Sequence, residues 1–504
     1  MHERPAAVKI KSELGLPGSV SAAPGSYIVL KKGTLPVFLG LGPEPALLEK
    51  MHPGYENFLY IECPDLERQL GPSWKQKIPA NFTKISPDQL VPENMEQMSF
   101  ILYTPGLKNF PEFWTDVLAR IRLTPEALRS SPDKPASVFI FGNEHSLLVP
   151  EIYWEIEQLG LTPILINPAC GPDKLCEILR RGKPELVISV NLQGMDQLGE
   201  HFAIFNRLNI PVALWMVDNP FHLLTSLKSR YWTRAVIFVT DNWFIKPLKA
   251  FGASAVHHLP LAAAPAFFRS TGRVKPELQD KTVFVGRSSF PGNRSFFGAC
   301  PSHPRLESEA LKLLSLGQRP DFAWWTRRLN LPLWPGNRVR EMGLGAERTG
   351  LVWKKICLER LADKYPLVVY GDKNWKNILP QQIDIQPEVD YYGPLASIYS
   401  SSGCILNLTN MHLPHGLTQR HFDVWAAHGF LITDKTRGLE VFPQELAREI
   451  SFCAPREMLD LIDRLNRDSS LKNQIQAEFY KLIKTRHTYR QRLENIFNLL
   501  NIKG

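Results

Sequence analysis

Long hydrophobic runs are missing from this chain. No stretch of about 18 consecutive apolar residues occurs, so no membrane-spanning helix is expected. The first residues lack the apolar core of a secretory leader, and none is expected. Patterned cysteines are missing too. Seven cysteines are scattered over 504 residues without a CxxC pair, which points to a reducing compartment and away from structural zinc. The 13 histidines show no ligand spacing such as HExxH. No DxD-type acidic pair follows a strand in the C-terminal half. A resident metal or cofactor is therefore not expected. No internal repeat of short period and no nucleic-acid module signature is present, so nucleic acid is not an expected partner.

What is there suits a soluble multidomain protein. A chain of 504 residues exceeds one core, and two or three domains follow. It is 44% hydrophobic and 22% charged, with a net charge of +9. The positive residues concentrate in 287–355, where Arg294, Arg305, Arg319, Arg327, Arg328, Arg338, Arg340 and Arg348 lie close together. Trp324, Trp325, Trp334 and Trp353 interleave with them. A solvated insertion packed by tryptophans is one reading. A surface facing an acceptor or an anionic lipid is the other. A cytoplasmic location is expected, with peripheral membrane contact through this stretch under the second reading.

The apolar runs order the chain. Residues 1–26 are rich in Pro, Ala and Ser and read as a poorly packed lead-in. Strands at 35–41, 57–61 and 98–103, with helices at 45–51 and 110–121, make a small α/β unit over 1–132. A linker is expected at 123–135, where Ser130, Ser131 and Pro132 cluster. A second series over 133–265 has strands at 137–141, 163–166, 186–190, 212–216, 235–240 and 257–259. A third over 266–468 has strands at 282–285, 367–370, 389–392, 404–408 and 430–433. Long helical patterns at 455–466 and 471–500 close the chain, the last unit being 469–504. The runs are short and continuous rather than alternating, as in parallel strands buried on both faces.

Several loops carry chemistry. Gly286 and Arg287 end the strand at 282–285. There the backbone can approach a phosphate and the guanidinium can neutralise it. The segment 403–434 reads as strand, polar loop, helix, strand, a unit that sets N–H groups and a helix dipole beside strand ends, where anions bind. Its loop holds His415 and Gly416, and its helix carries Thr418, Arg420 and Asp423. Arg420 and Asp423 are three apart and are expected on one helix face. A cation and a carboxylate there suit a ligand with phosphates and ribose hydroxyls. Asp218 follows the buried strand at 212–216. It is read as a base or acceptor-orienting group, with a plain helix N-cap as the alternative. His145 follows the strand at 137–141, where it can touch sugar or phosphate or serve as a structural histidine. Gly40-Leu41-Gly42 with Glu62 forms a partial dinucleotide or methyl-donor fingerprint, but Pro45 stands where the third small residue belongs.

The run Arg420-His421-Phe422-Asp423-Val424-Trp425-Ala426-Ala427-His428-Gly429 resembles the "R-x-F-E-x-x-A-x-G" signature of spore-maturation (CgeB-like) glycosyltransferases, with Asp for Glu. Tyr370-Gly371 with Trp375 is similar to their "Y-G-x-x-W", and Trp215, Asp218 and Pro220 to their "W-x-x-D-x-P". In many retaining relatives two glutamates are separated by seven residues. Here His415 occupies the first position and Asp423 the second. The resemblance implies a GT-B fold of two tandem Rossmann-like domains, with an extra N-terminal α/β domain and C-terminal helices. It implies transfer of a sugar from a nucleotide-activated donor to a protein, glycan or lipid. Gly286, Arg287, Gly371, His415, Gly416, Thr418, Arg420 and Asp423 would form the donor side, and Asp218 and His145 the acceptor side. The alternatives are a nucleotide-sugar epimerase, an inactive binding protein of the same fold, and a methyl-donor enzyme resting on Gly40 and Glu62.

Overall fold

The computed structural model describes residues 7–52, 54–123, 136–269 and 274–502. The linker expected at 123–135 lies, from 124 onward, outside the described residues.

The described residues begin with an antiparallel hairpin, β1 (Val8–Lys11) and β2 (Pro17–Val20). Ile10 and Val20 are buried, so this part of the expected lead-in is folded. Proline and glycine in PGSV hide the strand, because its partner rather than its own pattern makes it one. A five-stranded sheet follows, from β3 (Tyr27–Lys31), β4 (Leu35–Leu39), β5 (Phe58–Ile61), β6 (Phe82–Lys84) and β7 (Met98–Tyr103), in the order β3-β7-β4-β5-β6. The turn after β4 is closed on itself. Glu62 accepts from the backbone N–H groups of Leu41 and Cys63, each at 2.9 Å. Burial raises this carboxyl to about 7. A Cβ on Gly42 would sit 2.6 Å from the Tyr27 hydroxyl. Tyr27 and Glu62 thus close this turn with the protein's own groups.

The second unit is a six-stranded parallel sheet: β8 (Ser137–Phe141), β9 (Thr162–Ile166), β10 (Leu186–Val190), β11 (Val212–Met216), β12 (Val236–Val239) and β13 (Ala255–His258). Their order is β13-β12-β11-β10-β8-β9. SVFIF, LVISV and VALWM are buried at every position, which is why these strands read as nearly continuous apolar runs, with Ser137 and Ser189 as the polar residues. The third unit repeats the plan with β14 (Thr282–Val285), β15 (Leu367–Tyr370), β16 (Asp384–Gln386), β17 (Cys404–Asn407), β18 (Leu431–Asp434) and β19 (Ser451–Phe452). Here the order is β16-β15-β14-β17-β18-β19. These tandem Rossmann-like sheets, the preceding α/β unit and the closing helices form the expected GT-B layout. The strand expected at 389–392 is instead a turn, in which Asp390 accepts from Tyr392 N–H at 3.2 Å. The strand lies just before it, and Pro387 ends the ladder.

The basic stretch is helical: Asn293–Phe297, Pro304–Ser315, Phe322–Leu329 and the long helix Val339–Ala362. Trp325, Trp334 and Trp353 are buried packing residues. Arg319, Arg328, Arg338 and Arg348 pair with Asp434, Glu309, Glu341 and Glu307. The closing pattern at 471–500 is two helices, Ser469–Arg486 and Tyr489–Leu500, parted at Thr488, which caps the second in a capping box with Gln491. The first packs on the third unit, where Trp425 stacks on Phe479 at 4.3 Å. The second crosses back. Its Arg492 donates to the carbonyls of Pro260 and Leu261 at 2.8 and 2.9 Å. No described helix is long and apolar enough to cross a membrane.

Candidate functional site

In each sheet the chain winds outward from one strand in both directions, leaving a crevice at the strand C-termini where the order reverses. The points of reversal are β8/β10 and β14/β17. The loop after β17 spans the gap between the two units. Its base is held by Asp434, which accepts from Thr409 N–H at 2.7 Å and Oγ1 at 2.9 Å. Arg319 and the Trp353 indole complete the shell of that carboxylate, at 2.7 and 3.1 Å. The loop's far end is pinned to the second unit. His415 N–H donates to Asp241 at 2.9 Å, and its Nδ1 lies 2.7 Å from Asn242 Oδ1. Asn219 Nδ2 donates to the His412 carbonyl at 3.2 Å.

Between these anchors lies a pocket of about 230 Å³. Asp218, Asn219 and His222 line it from one unit, and Phe290, Asn410 and His412 from the other. Asp218 is not the cap of the following helix. Asn219 fills that role, its side chain accepting from Phe221 N–H at 3.0 Å. Asp218 is therefore free for other work. Asn191 Nδ2 donates to it at 2.7 Å, while Asn191 Oδ1 accepts from the N–H groups of Val217 and Asp218. The Asp218 carboxyl reaches solvent through the mouth, but protein atoms crowd it elsewhere. That burial raises its pKa, against the opposing Asn191 hydrogen bond and the charge of His412.

Residues that sequence reasoning passed over complete the pocket. His412 Nε2 lies 2.9 Å from Glu347 Oε2. Burial would raise the Glu347 carboxyl, but His412 outweighs it and leaves it below its usual range. His222 is pushed well down by burial, with His412 and Arg340 adding to the effect, so it is neutral. The two imidazoles lie 5.1 Å apart. His222 Nε2, His412 Nδ1 and Glu347 Oε1 are buried without a hydrogen-bond partner, an arrangement a polar ligand would satisfy. Gly343 makes room for this cluster, since a Cβ there would come within 2.4 Å of His222 Nε2.

Two cations stand at the β14/β17 reversal. Lys354 Nζ donates to the carbonyls of Arg287 and Ser288 at 3.1 and 3.4 Å. Burial lowers its pKa, partly offset by Glu347. Arg420 Nε donates to Asn407 Oδ1 at 2.6 Å. Burial lowers its pKa as well, and its charge opposes that of Lys354. Among the described residues neither makes an ion pair with a carboxylate. Glu347, Asp372 and Asp434 lie within electrostatic reach of Lys354, and Asp434 of Arg420, but none of them bonds either cation directly.

The other residues named from sequence are placed differently. The Gly286 carbonyl accepts from the Trp375 indole at 2.8 Å, and a Cβ on Gly371 would sit 2.4 Å from it. Both glycines thus serve close packing. Arg287 is exposed and paired with Glu388. Gly416 forms a turn against Leu413. Thr418 Oγ1 donates to Asn407 at 2.9 Å, and its N–H to His421 at 3.0 Å, so both its polar groups are used internally. His145 lies on an exposed turn, 3.5 Å from Glu144 and outside the pocket. Arg420 and Asp423 do not converge. The long arginine reaches back to β17, whereas the buried Asp423 accepts from Ala264 N–H at 2.9 Å and the Tyr391 hydroxyl at 2.6 Å. Asp423 thus locks the crossing between the units rather than facing an open ribose site.

Burial raises the Asp423 carboxyl to about 8, against the hydrogen bonds from Tyr391 and Ala264. A folded-state pKa above the unfolded one means the folded state holds the proton more tightly. Its contribution is full below about pH 4 and is lost as pH rises through about 8. The melting temperature of the wild type should therefore fall more steeply from pH 5 to pH 8 than that of Asp423→Asn. Calorimetry across that range checks this, and equal slopes would mean Asp423 is ionised in the folded state.

A family model described as glycosyl transferase-like matches residues 348–498. The matched segment contains Lys354, the loop after β17 and Arg420. No curated sequence gives a significant match. Among solved structures, the chain is similar to BGT of phage T4 in complex with its UDP-glucose substrate, with 11% identity and a TM-score of 0.38 over 72% of this chain and 99% of that one. It is similar to HepE of Anabaena in complex with UDP, with 8% identity and a TM-score of 0.41 over 73% and 99%. It is similar to a UDP-forming trehalose-phosphate synthase of Burkholderia vietnamiensis, with 10% identity and a TM-score of 0.36 over 93% and 100%. No residue role in this chain is taken from these likenesses.

Proposed function

We propose that this chain is a glycosyltransferase that moves a sugar from a nucleoside-diphosphate donor to a hydroxyl-bearing acceptor, without a metal. One observation carries the reading. Lys354 and Arg420, cations without a carboxylate bonded to them, stand at the strand reversal of the third unit, and the uncapped Asp218 lines the pocket between the second and third units. The glycosyl transferase-like match over 348–498 supports it, and the CgeB-like resemblance is the subgroup we favour.

In this reading the donor diphosphate lies against Lys354, Arg420 and the N–H groups of the loop after β17. Glycosyl transfer builds an oxocarbenium-like centre and expels an anionic diphosphate. Fixed positive charge stabilises that leaving group at no reorganisation cost. The acceptor enters the 230 Å³ pocket. Its hydroxyl oxygen bonds to the anomeric carbon, the bond to the diphosphate breaks with its electron pair leaving on phosphate oxygen, and the hydroxyl proton passes to Asp218. The raised pKa of Asp218 favours that proton transfer. The acceptor is a protein, a glycan or a lipid.

Incubation with a panel of labelled UDP-, GDP- and ADP-sugars tests the reading. We expect release of the matching nucleoside diphosphate with one donor, unchanged by EDTA. Activity lost to EDTA and restored by Mn²⁺ or Mg²⁺ would contradict the metal-free reading. Interconversion of the donor sugar without transfer would mark an epimerase, and binding without any turnover an inactive binding protein.

A further inference from the structure

A cavity of about 910 Å³ lies on the far side of the loop after β17, against β18 and β19. Residues along this loop face opposite ways. Asn410, His412 and Leu413 line the cleft pocket, whereas Met411, Pro414 and His415 line the larger cavity. The loop is thus a partition between two spaces. Lys354, Arg420 and Asp218 do not open onto the larger one, whereas His415, expected from sequence on the donor side, does.

Its lining has two characters. Leu439, Phe442 and Phe452 form an apolar side. Lys435 and Arg448 bring positive charge. Both side chains are exposed, and neither is held by a carboxylate among the described residues. The remaining charges are already spent, Arg319 on Asp434 and Arg437 on Glu440. Arg319 Nε is buried and makes no hydrogen bond; the Asp321 carboxylate, also in the lining, stands 4.0 Å from it. A buried donor without an acceptor is costly, and a ligand oxygen would relieve it. The volume falls in the range of small-molecule sites.

We propose that this cavity is a second ligand site, separate from the cleft, which takes a small molecule with a phosphate monoester head and an apolar body. The head meets Lys435 and Arg448, unpaired among the described residues, and approaches the Nε of Arg319. The body lies on Leu439, Phe442 and Phe452. Such a head comes either from a phospholipid or from a free phosphorylated metabolite. The proposal stands independently of the sugar-transfer reading, because it uses none of the same side chains.

The test is a melting-shift titration of the full chain with hexyl phosphate and with inorganic phosphate. A ligand that binds only the folded state raises the melting temperature. Hexyl phosphate should raise it by at least about 2 °C at saturation and bind at least about fivefold more tightly than inorganic phosphate, because apolar area is buried with it. The shift should vanish when Lys435→Glu and Arg448→Glu are combined; both side chains are exposed, so the fold should survive. It should persist in Arg420→Ala, whose altered group lies in the cleft. Sedimentation with phosphatidic acid vesicles, but not phosphatidylcholine vesicles, would assign the lipid source. Its absence alongside a hexyl phosphate response would assign the free phosphate. The proposal is overturned by no response to hexyl phosphate, by equal affinity for inorganic phosphate, by an unchanged response in the double variant, or by loss of the response in Arg420→Ala.

Discussion

Arg420→Ala should weaken nucleoside diphosphate binding by about 1–3 kcal/mol, the scale of a lost charge-assisted hydrogen bond. The guanidinium is anchored through Nε on Asn407, which leaves its outer nitrogens for a ligand. Lys354→Ala should cost a comparable amount, since its ammonium shares the same site. Arg420→Lys should recover only part of the loss, because one ammonium cannot reproduce a planar fork. Isothermal calorimetry with UDP, GDP and ADP measures all three variants. Unchanged affinity in both alanine variants would remove these residues from the donor site.

Asp218→Asn should cut transfer by at least about a hundredfold, the low end for loss of a general base. Donor affinity should hardly change, because the donor cations belong to the third unit. Folding should hardly change either. The helix after Asp218 is capped by Asn219, so the loss of about 1 kcal/mol expected of a broken cap is not predicted here. One preparation of the variant supplies melting temperature, donor affinity and turnover together. Near-normal turnover would return the proton to another group, and His412, backed by Glu347 at 2.9 Å, is the nearest alternative.

The central strands were legible because a parallel strand buried on both faces must be largely apolar, and SVFIF, LVISV, VALWM and TVFV are, with only Ser137, Ser189 and Thr282 polar. The edges were not. VKIK and PGSV carry charge, proline and glycine, and only their pairing with each other makes them strands. The segment Val389–Tyr392 misled, because the ladder position belongs to Asp384–Gln386 and the segment itself turns. At the site, Asp218 follows the end of β11 and lines the pocket between the units. The choice between cap and free carboxylate turned on a single position, which a pattern cannot resolve. His412 and Glu347 are 65 residues apart and meet only through the tertiary fold, so no spacing announced them. The three-residue spacing of Arg420 and Asp423 implied a shared ligand. In a helix as short as Arg420–Ala426, however, the lengths of the two side chains sent them to opposite neighbours.

Hydrogen–deuterium exchange, with and without a saturating nucleoside diphosphate, tests most directly whether the donor lies in the cleft at the β14/β17 reversal. The account predicts new protection confined to the turn at 286–288 and the loop and helix start at 408–420, and its loss in Arg420→Ala. Protection confined to 435–453, around the larger cavity, or none at either place, would contradict it.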